Sequence, residues 1–482
     1  MPAGDQPARK DRLPAGPLFG RRAGRCHTLR HGGGKSAKRS CDRPRGGRDV
    51  RSKQGPRARS GGSRANRPDR VVGARRSSRP FGGRFRGIAL AASRRQSPCL
   101  LNRRKGNPVQ EVPMRLLLLS MLGVLTPFSI GVWDACRACT SFCFEQDGEV
   151  IFGRNLDWHL DDGMLVVNQR GVVKVSYVER NPARWVSRYG SVTFNQYGRE
   201  LPMGGMNEAG LIVENMWLNG TSYPEADDRA ALGELQWIQY QLDTAATLEQ
   251  VIASDERVRI ARENTSPLHF LVCDSTGACA SIEFLDGEMV VHSGRAADGM
   301  VLTNNTWNRS RAFRERVDRD STGAAFQEGG WSLKRFVLAG RALRNRDALD
   351  AEDAVAQAFE ILEDVSWEGQ GGTQWRIVYE PDARRIHFRT LSHPAIKHLD
   401  LRNLDYVCGT PVRVLDLAQP EGGDASDAWE DYFREANLEL IRTAYRKTEF
   451  LGEISDEAIR WMARYPETMP CARGGSLEEA AR

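Results

Sequence analysis

Ala138-Cys-Thr-Ser-Phe142 divides the chain into two chemically different parts. Residues 1–113 carry 30 Lys and Arg against 6 Asp and Glu, whereas residues 139–482 carry 37 against 55. A swing from strongly basic to acidic across one short junction says that the two parts do not share a folded core. The 344 residues from Cys139 onward are enough to bury the core of one large domain. The reading adopted is that Cys139 becomes the first residue of the mature protein, so that its own amine and thiol are the catalyst.

What precedes the junction supports a cleavage there. Residues 1–113 are rich in Arg, Gly, Ser and Pro and poor in apolar residues. Such a composition cannot bury enough apolar surface to offset its ordering entropy. The expectation is a disordered segment, an over-extended start ahead of a true initiator at Met114. A basic arm gripping nucleic acid through phosphates is the competing reading. It lacks interleaved aromatics and any recognisable motif, so no nucleic-acid partner is expected for the mature domain. Met114-Arg115 gives a short positive start, and Leu116 to Val132 is an apolar run of 17 residues. Cys136 and Ala138 then place small residues three and one before Cys139. Positive start, apolar middle and small-residue exit describe a secretory signal peptide over 114–138. Pro127 and the short length argue against a stable membrane span, which needs roughly 20 apolar residues. Arg137 and the lack of an aliphatic residue at 136 argue against a lipid anchor on Cys139. The expected location is therefore exported, in the periplasm.

After the junction, the turn signals mark out strands and helices. Asp147-Gly148 and Asp286-Gly287 each separate two apolar runs, a strong hairpin signal. Strands are expected at 139–144, 150–152, 172–178, 191–197, 211–213, 268–273, 278–285, 289–292, 374–379 and 385–390. Helices are expected from Leu232 to Leu242, from Thr247, from Ser332 as cap to Leu343, from Asp350 or Ala351 to Val365, and amphipathically from Ala428 to Arg464. Meanders interrupted by helix pairs indicate an α+β layered domain, not alternating parallel units. Six cysteines follow the junction, counting Cys139. Cys273 can pair with Cys279 across a hairpin, and Cys408 with Cys471, but spacing alone does not fix connectivity. No spacing resembles a zinc site, and neither a metal nor a cofactor is expected.

A thiol is nucleophilic only as thiolate. The α-amine of the same residue, with an unperturbed pKa of ~8, can serve as its base. That chemistry needs groups to orient the amine, a cation to favour the thiolate, and donors for the developing oxyanion. Cys139-Thr-Ser-Phe, Phe152-Gly-Arg-Asn-Leu-Asp-Trp158, Met206-Asn-Glu-Ala-Gly-Leu211, Leu302-Thr-Asn-Asn305 and Ser332-Leu-Lys-Arg-Phe336 stand in the chain in that order. This set, spanning roughly Cys139 to Thr390, resembles the choloylglycine hydrolase family of N-terminal-nucleophile hydrolases, which includes penicillin V acylases and bile salt hydrolases.

The resemblance implies a four-layer αββα sandwich of two antiparallel sheets flanked by helices, with a C-terminal helical extension. It implies hydrolysis of a linear carboxamide in a small-molecule substrate. Cys139 would be the nucleophile and base, Arg154 the guanidinium beside the thiol, and Asp157 the carboxylate that holds the amine. Asn304 would be the side-chain oxyanion donor and Arg335 a further active-site arginine. Trp217 would give the backbone N–H of the oxyanion hole. Family members commonly carry Asn or Tyr there, so Trp217 changes the pocket wall and leans the reading toward penicillin V acylase-like members, some of which cleave acyl homoserine lactones. Conjugated bile salts remain a candidate substrate, and a homo-oligomer, tetrameric in the family, is implied. The alternatives are a ceramidase-like lipid amidase and a non-catalytic exported binding protein of the same fold.

Overall fold

The computed structural model describes residues 139–262, 265–346, 353–369, 371–419, 421–448, 451 and 454–473. The expected Arg/Gly-rich segment at 1–113 and the expected signal peptide at 114–138 lie outside the described residues, as do Asp350 and Ala351.

The chain opens with the hairpin of β1 (Thr140–Gln146) and β2 (Glu149–Asp157). Asp147 and Gly148 both take positive φ, 53° and 85°, as the two-residue turn matched to strand twist requires. β3 (Met164–Asn168) follows, then the small antiparallel pair β4 (Val173–Val175) and β5 (Arg184–Val186). Next come β6 (Ser191–Asn195), β7 (Pro202–Asn207), β8 (Ile212–Trp217) and β9 (Ala230–Leu232), then the helices α1 (Glu234–Thr244) and α2 (Leu248–Ala253). Thr247 caps α2, its hydroxyl accepting from the N–H of Gln250 at 3.4 Å. β10 (Val258–Ile260) pairs in parallel with β9. The meander β11 (Leu268–Cys273), β12 (Ala278–Leu285) and β13 (Glu288–Arg295) leads to β14 (Met300–Leu302). Four helices follow: α3 (Trp307–Arg319), α4 (Ala324–Gln327), α5 (Trp331–Arg344) and α6 (Ala354–Asp364). β15 (Thr373–Glu380) and β16 (Arg385–Thr390) form a hairpin, followed by β17 (Lys397–Asp400), β18 (Arg413–Asp416), β19 (Gly423–Asp424) and β20 (Glu430–Asp431). The helices α7 (Arg434–Lys447) and α8 (Asp456–Arg464) come last.

Two large sheets carry the fold. One has seven strands in the order β14-β1-β2-β15-β16-β17-β19; the other has nine, β13-β12-β11-β8-β7-β6-β3-β18-β20. Period-two alternation decides which side chains fill which layer. Cys139, just ahead of β1, and Cys143 within it face the space between the sheets, whereas Phe142 and Phe144 face α5 and α6. The inter-sheet core also takes Phe152, Leu156, Ile377 and Phe388 from the first sheet and Val192, Phe194, Met206 and Leu271 from the second. On the far side of the nine-stranded sheet, Val213, Phe270, Ile282 and Phe284 pack against Trp237 and Ile238 of α1. Helix, sheet, sheet, helix is the expected four-layer αββα sandwich.

Several boundaries differ from the sequence reading, each for a physical reason. Ser332 is not the cap of α5, which begins after Gly330 without a side-chain cap. Its hydroxyl is used instead by Asn304 N–H and Asn305 Nδ2, both at 2.9 Å. Leu232 belongs to β9, so α1 starts two residues later. The expected helix from Ala428 to Arg464 is two helices, α7 and α8, preceded by the edge strand β20. Both allowed disulfides are formed, Cys273–Cys279 and Cys408–Cys471. The second closes a loop of 63 residues in sequence, worth about 4 kcal/mol on a chain-entropy basis. No described helix is long and apolar enough to cross a membrane.

Candidate active site

Cys139 stands just ahead of β1, where the two sheets open onto a cavity of about 620 Å³. Its thiol donates to the carbonyl oxygen of Asp157 at 3.7 Å, because β2 runs antiparallel beside β1 with Thr140 opposite Asn155. Cys139 and Asp157 both line the cavity, with Trp217 from the end of β8.

Arg154 and Asp157 lie three apart on β2 and so point to opposite faces. Arg154 is buried and faces the second sheet, where its Nε donates to Glu214 Oε2 at 3.0 Å. Burial opposes its charge, but Cys139 and Glu214 beside it more than compensate, and its pKa is raised. Asp157, fully buried, takes two bonds on its two oxygens: from Arg335 Nη1 on Oδ2 at 2.9 Å and from Thr373 Oγ1 on Oδ1 at 2.6 Å. Desolvation pushes its carboxyl up to about 6, with Arg335 as the main opposing influence.

Arg335 reaches the site from α5, with its side chain out of water. Nη1 also donates to Thr140 Oγ1 at 2.8 Å, and Nη2 donates to Asn304 Oδ1 at 3.1 Å. That second bond fixes the Asn304 amide with its nitrogen turned toward Trp217. There Nδ2 donates to the Trp217 carbonyl at 2.9 Å. Ser332, on the same helix as Arg335, holds the Asn304 backbone. Five of the six residues singled out in the sequence, Cys139, Asp157, Arg335, Asn304 and Trp217, are therefore joined by hydrogen bonds, and Arg154, bonded to Glu214 and Asn155, interacts electrostatically with Cys139. For Trp217 the structure adds a use of its carbonyl, as the acceptor that orients Asn304. Its indole lies 6.3 Å from that of Trp158, tilted by 34°.

Glu214, which accepts from Arg154, and Tyr379, which donates to Glu214, were not singled out by sequence reasoning. Tyr379 donates to Glu214 Oε1 at 2.5 Å. Burial raises the Glu214 carboxyl to about 7, against the pull of Arg154. The signal was present: a carboxylate inside Leu211-Ile-Val-Glu-Asn-Met216, a buried strand, demands a cation. Gly204, opposite Glu214 in the β7–β8 pair, leaves the room that this carboxylate fills. A Cβ there would meet Glu214 Oε2 at 2.2 Å.

Among the described residues the one cluster with metal-ligand spacing is Cys143, Cys273 and Cys279. Two of its sulfurs are joined in a disulfide. Burial holds the third, the Cys143 thiol, up at about 12.

A cysteine and a buried carboxylate lining a cavity, backed by a nearby guanidinium and an oriented amide, can perform acyl transfer. Comparison with known proteins agrees. Residues 139–413 match the model of the linear amide C–N hydrolases, choloylglycine hydrolase family. A penicillin V acylase of Pectobacterium atrosepticum is 23% identical over 342 residues, covering 62% of this chain and 90% of that protein. The solved structure of penicillin V acylase from Agrobacterium tumefaciens is 28% identical, with a TM-score of 0.54, and covers 61% of this chain and 98% of that one. A variant of conjugated bile acid hydrolase from Clostridium perfringens matches at 17% identity and a TM-score of 0.49, covering 58% and 97%.

Proposed function

This chain belongs to the choloylglycine hydrolase family of linear amide C–N hydrolases, and from that premise we propose that it is an exported acylase of penicillin V acylase type whose nucleophile is Cys139, freed as an N-terminal residue. The observation that carries the proposal is the unbroken hydrogen-bonded path from Asp157 through Arg335 and Asn304 to Trp217, built around the Cys139 thiol.

In the proposed reaction, release of residues up to Ala138 turns the Cys139 nitrogen into an amine. The amine takes the thiol proton, and Arg154 favours the resulting thiolate. The thiolate attacks the substrate carbonyl carbon. The charge that develops on oxygen is met by the second N–H of Asn304 Nδ2 and by the backbone N–H of Trp217. Collapse breaks the C–N bond as the ammonium of Cys139 gives its proton to the leaving nitrogen. Water then attacks the thioester, its proton returning through the amine, and the acyl group departs as a carboxylic acid. Asp157, fixed by Arg335 and Thr373, holds the ammonium in place through both steps.

Penicillin V and acyl homoserine lactones are the substrates favoured, since both carry an apolar acyl group that suits a cavity walled by Trp158, Tyr197 and Trp217. Residues 114–138 would direct export to the periplasm.

The test is the mature N-terminus together with the trapped acyl-enzyme. Protein from an exporting host should begin at Cys139, and mass spectrometry during turnover should find the acyl mass on that residue. Cys139→Ala should abolish turnover. Full activity in protein that still carries Ala138 would overturn the mechanism.

A further inference from the structure

The family match ends at residue 413, yet the substrate cavity does not. Tyr445 of α7 and Trp461 and Met462 of α8 line the same cavity as Cys139 and Asp157. We propose that the α7–α8 pair is an acyl-binding wall added to the hydrolase domain, selecting substrates with an extended alkyl or aryl acyl group. This inference deepens the amide-hydrolase reading of Cys139 and rests on it.

The pair is built to hold a fixed position against the site. Thr448, the residue that ends α7, is buried. Its hydroxyl meets Tyr197 Oη at 3.1 Å and His159 Nε2 at 3.0 Å. Tyr197 Oη in turn accepts from Trp158 Nε1 at 2.9 Å. The end of α7 is thus tied to the two residues that follow Asp157. Lys447 pairs with Asp162 on the same loop at 2.5 Å. On the other side, Cys471 after α8 is joined covalently to Cys408. An appendage free of the site would need neither tie.

What the pair presents to the cavity is apolar and aromatic. The Tyr445 ring meets that of Tyr197 edge to face at 6.1 Å. The Trp461 ring lies 5.2 Å from Tyr177, another cavity residue. Trp461 is nevertheless 53% exposed, a large apolar surface left in water beside a cavity of about 620 Å³. That volume is in the range that encloses drug-sized ligands. An acyl group esterified to Cys139 would cross the floor beside Trp158 and cover Trp461. The acyl part, not the amine, is assigned to this wall because it stays attached through the thioester stage and gains most from apolar cover.

The test is an acyl-length series of amides, from acetyl to decanoyl with phenoxyacetyl included, on the purified protein and on Trp461→Ala, Met462→Ala and Thr448→Val. The decanoyl and phenoxyacetyl substrates should show KM raised about tenfold or more in the two alanine variants. Their acetyl kcat/KM should stay within about twofold of the parent. Thr448→Val, which removes the tie and leaves the wall, should shift the same long-chain KM and spare the acetyl substrate. A uniform loss across the series, or no loss at all, overturns the proposal. Free decanoate, titrated by calorimetry into Cys139→Ala with and without Trp461→Ala, reports on the wall without turnover. Weakening by about tenfold supports it, and equal affinity refutes it. Should the parent hydrolyse no amide, the hydrolase reading fails, and the decanoate titration still decides the wall.

Discussion

Arg335 Nη1 and Asp157 Oδ2 meet at 2.9 Å with both side chains fully buried. The other arm of the same guanidinium holds Asn304 Oδ1 at 3.1 Å. One planar fork therefore sets the distance between the carboxylate that would steady the amine and the amide that would receive the oxyanion. A lysine has a point charge and no fork. Arg335→Lys should keep the buried carboxylate partnered but lose the Asn304 bond, lowering kcat about tenfold to a hundredfold with little change in Tm. Arg335→Ala leaves the buried Asp157 carboxyl with the Thr373 bond but without its cation, and should cost about 3–5 kcal/mol of stability. Urea unfolding of the two variants, set beside their kcat, checks the difference.

Asn304 donates one N–H to the Trp217 carbonyl, which leaves the other for substrate. Asn304→Ala should lower kcat by about 10²–10³ while KM changes little, as for loss of one oxyanion donor. Steady-state kinetics on any cleaved amide measures it. A rise in KM at constant kcat would make Asn304 a binding residue instead.

The Asp157 carboxyl sits at about 6, above its ordinary 3.8, chiefly because it is buried. Below that value it is neutral and cannot hold an ammonium; above it, it can. Turnover should therefore rise along an acidic limb whose midpoint lies at or below about 6, because the ammonium of the mature terminus further favours the carboxylate, and Asp157→Asn should remove the limb along with most of the activity. A pH profile of kcat/KM, with its limb unmoved by substrate identity, is the check.

The parts of this site that were legible in the sequence share one property: each lies within a short stretch of a few residues. Phe152 to Trp158 places Arg154 and Asp157 together, and Leu302 to Asn305 presents Asn304. Glu214 was missed because its meaning lies in Arg154, 60 residues away in sequence. Thr373, the second partner of Asp157, is 216 residues away. The same contrast holds for the fold. Asp-Gly turns marked the hairpins, and alternation marked the two-faced strands. The two-residue edge strands β19 and β20 carry no pattern of their own and exist through their neighbours. Ser332 misled as a cap because its hydroxyl has a stronger claim on it from the Asn304 loop.

The Glu214 carboxylate fills the space that a side chain at Gly204 would take, so a side chain cannot be added at 204 without moving Glu214. A Cβ at 204 would lie 2.2 Å from Glu214 Oε2 and 2.3 Å from its Cδ. The carboxylate is pinned between Arg154 and Tyr379, so it cannot swing away cheaply. Gly204→Ala should destabilise by about 1–3 kcal/mol and disturb Arg154 in the same step. Activity should then fall further than the drop in folded fraction explains, as measured by kcat at a temperature where the variant is fully folded.

Glu214 also sets a pH dependence of stability whose sign can be worked out. Its folded carboxyl is raised to about 7 from 4.5, with burial the leading cause. A raised carboxyl favours the folded state most when protonated. Its contribution is therefore complete below about pH 4.5 and lost as the pH climbs through 7. Glu214→Gln resembles the protonated form and does not titrate. Both proteins lose other interactions with pH, but the difference between them isolates this group. Relative to Glu214→Gln, the parent should lose stability as the pH rises from 4.5 to 7, by about 3 kcal/mol in all. Denaturant unfolding of the pair at pH 4.5, 6 and 8 measures the gap. A gap that stays constant across that range would mean that Arg154 keeps Glu214 ionised throughout.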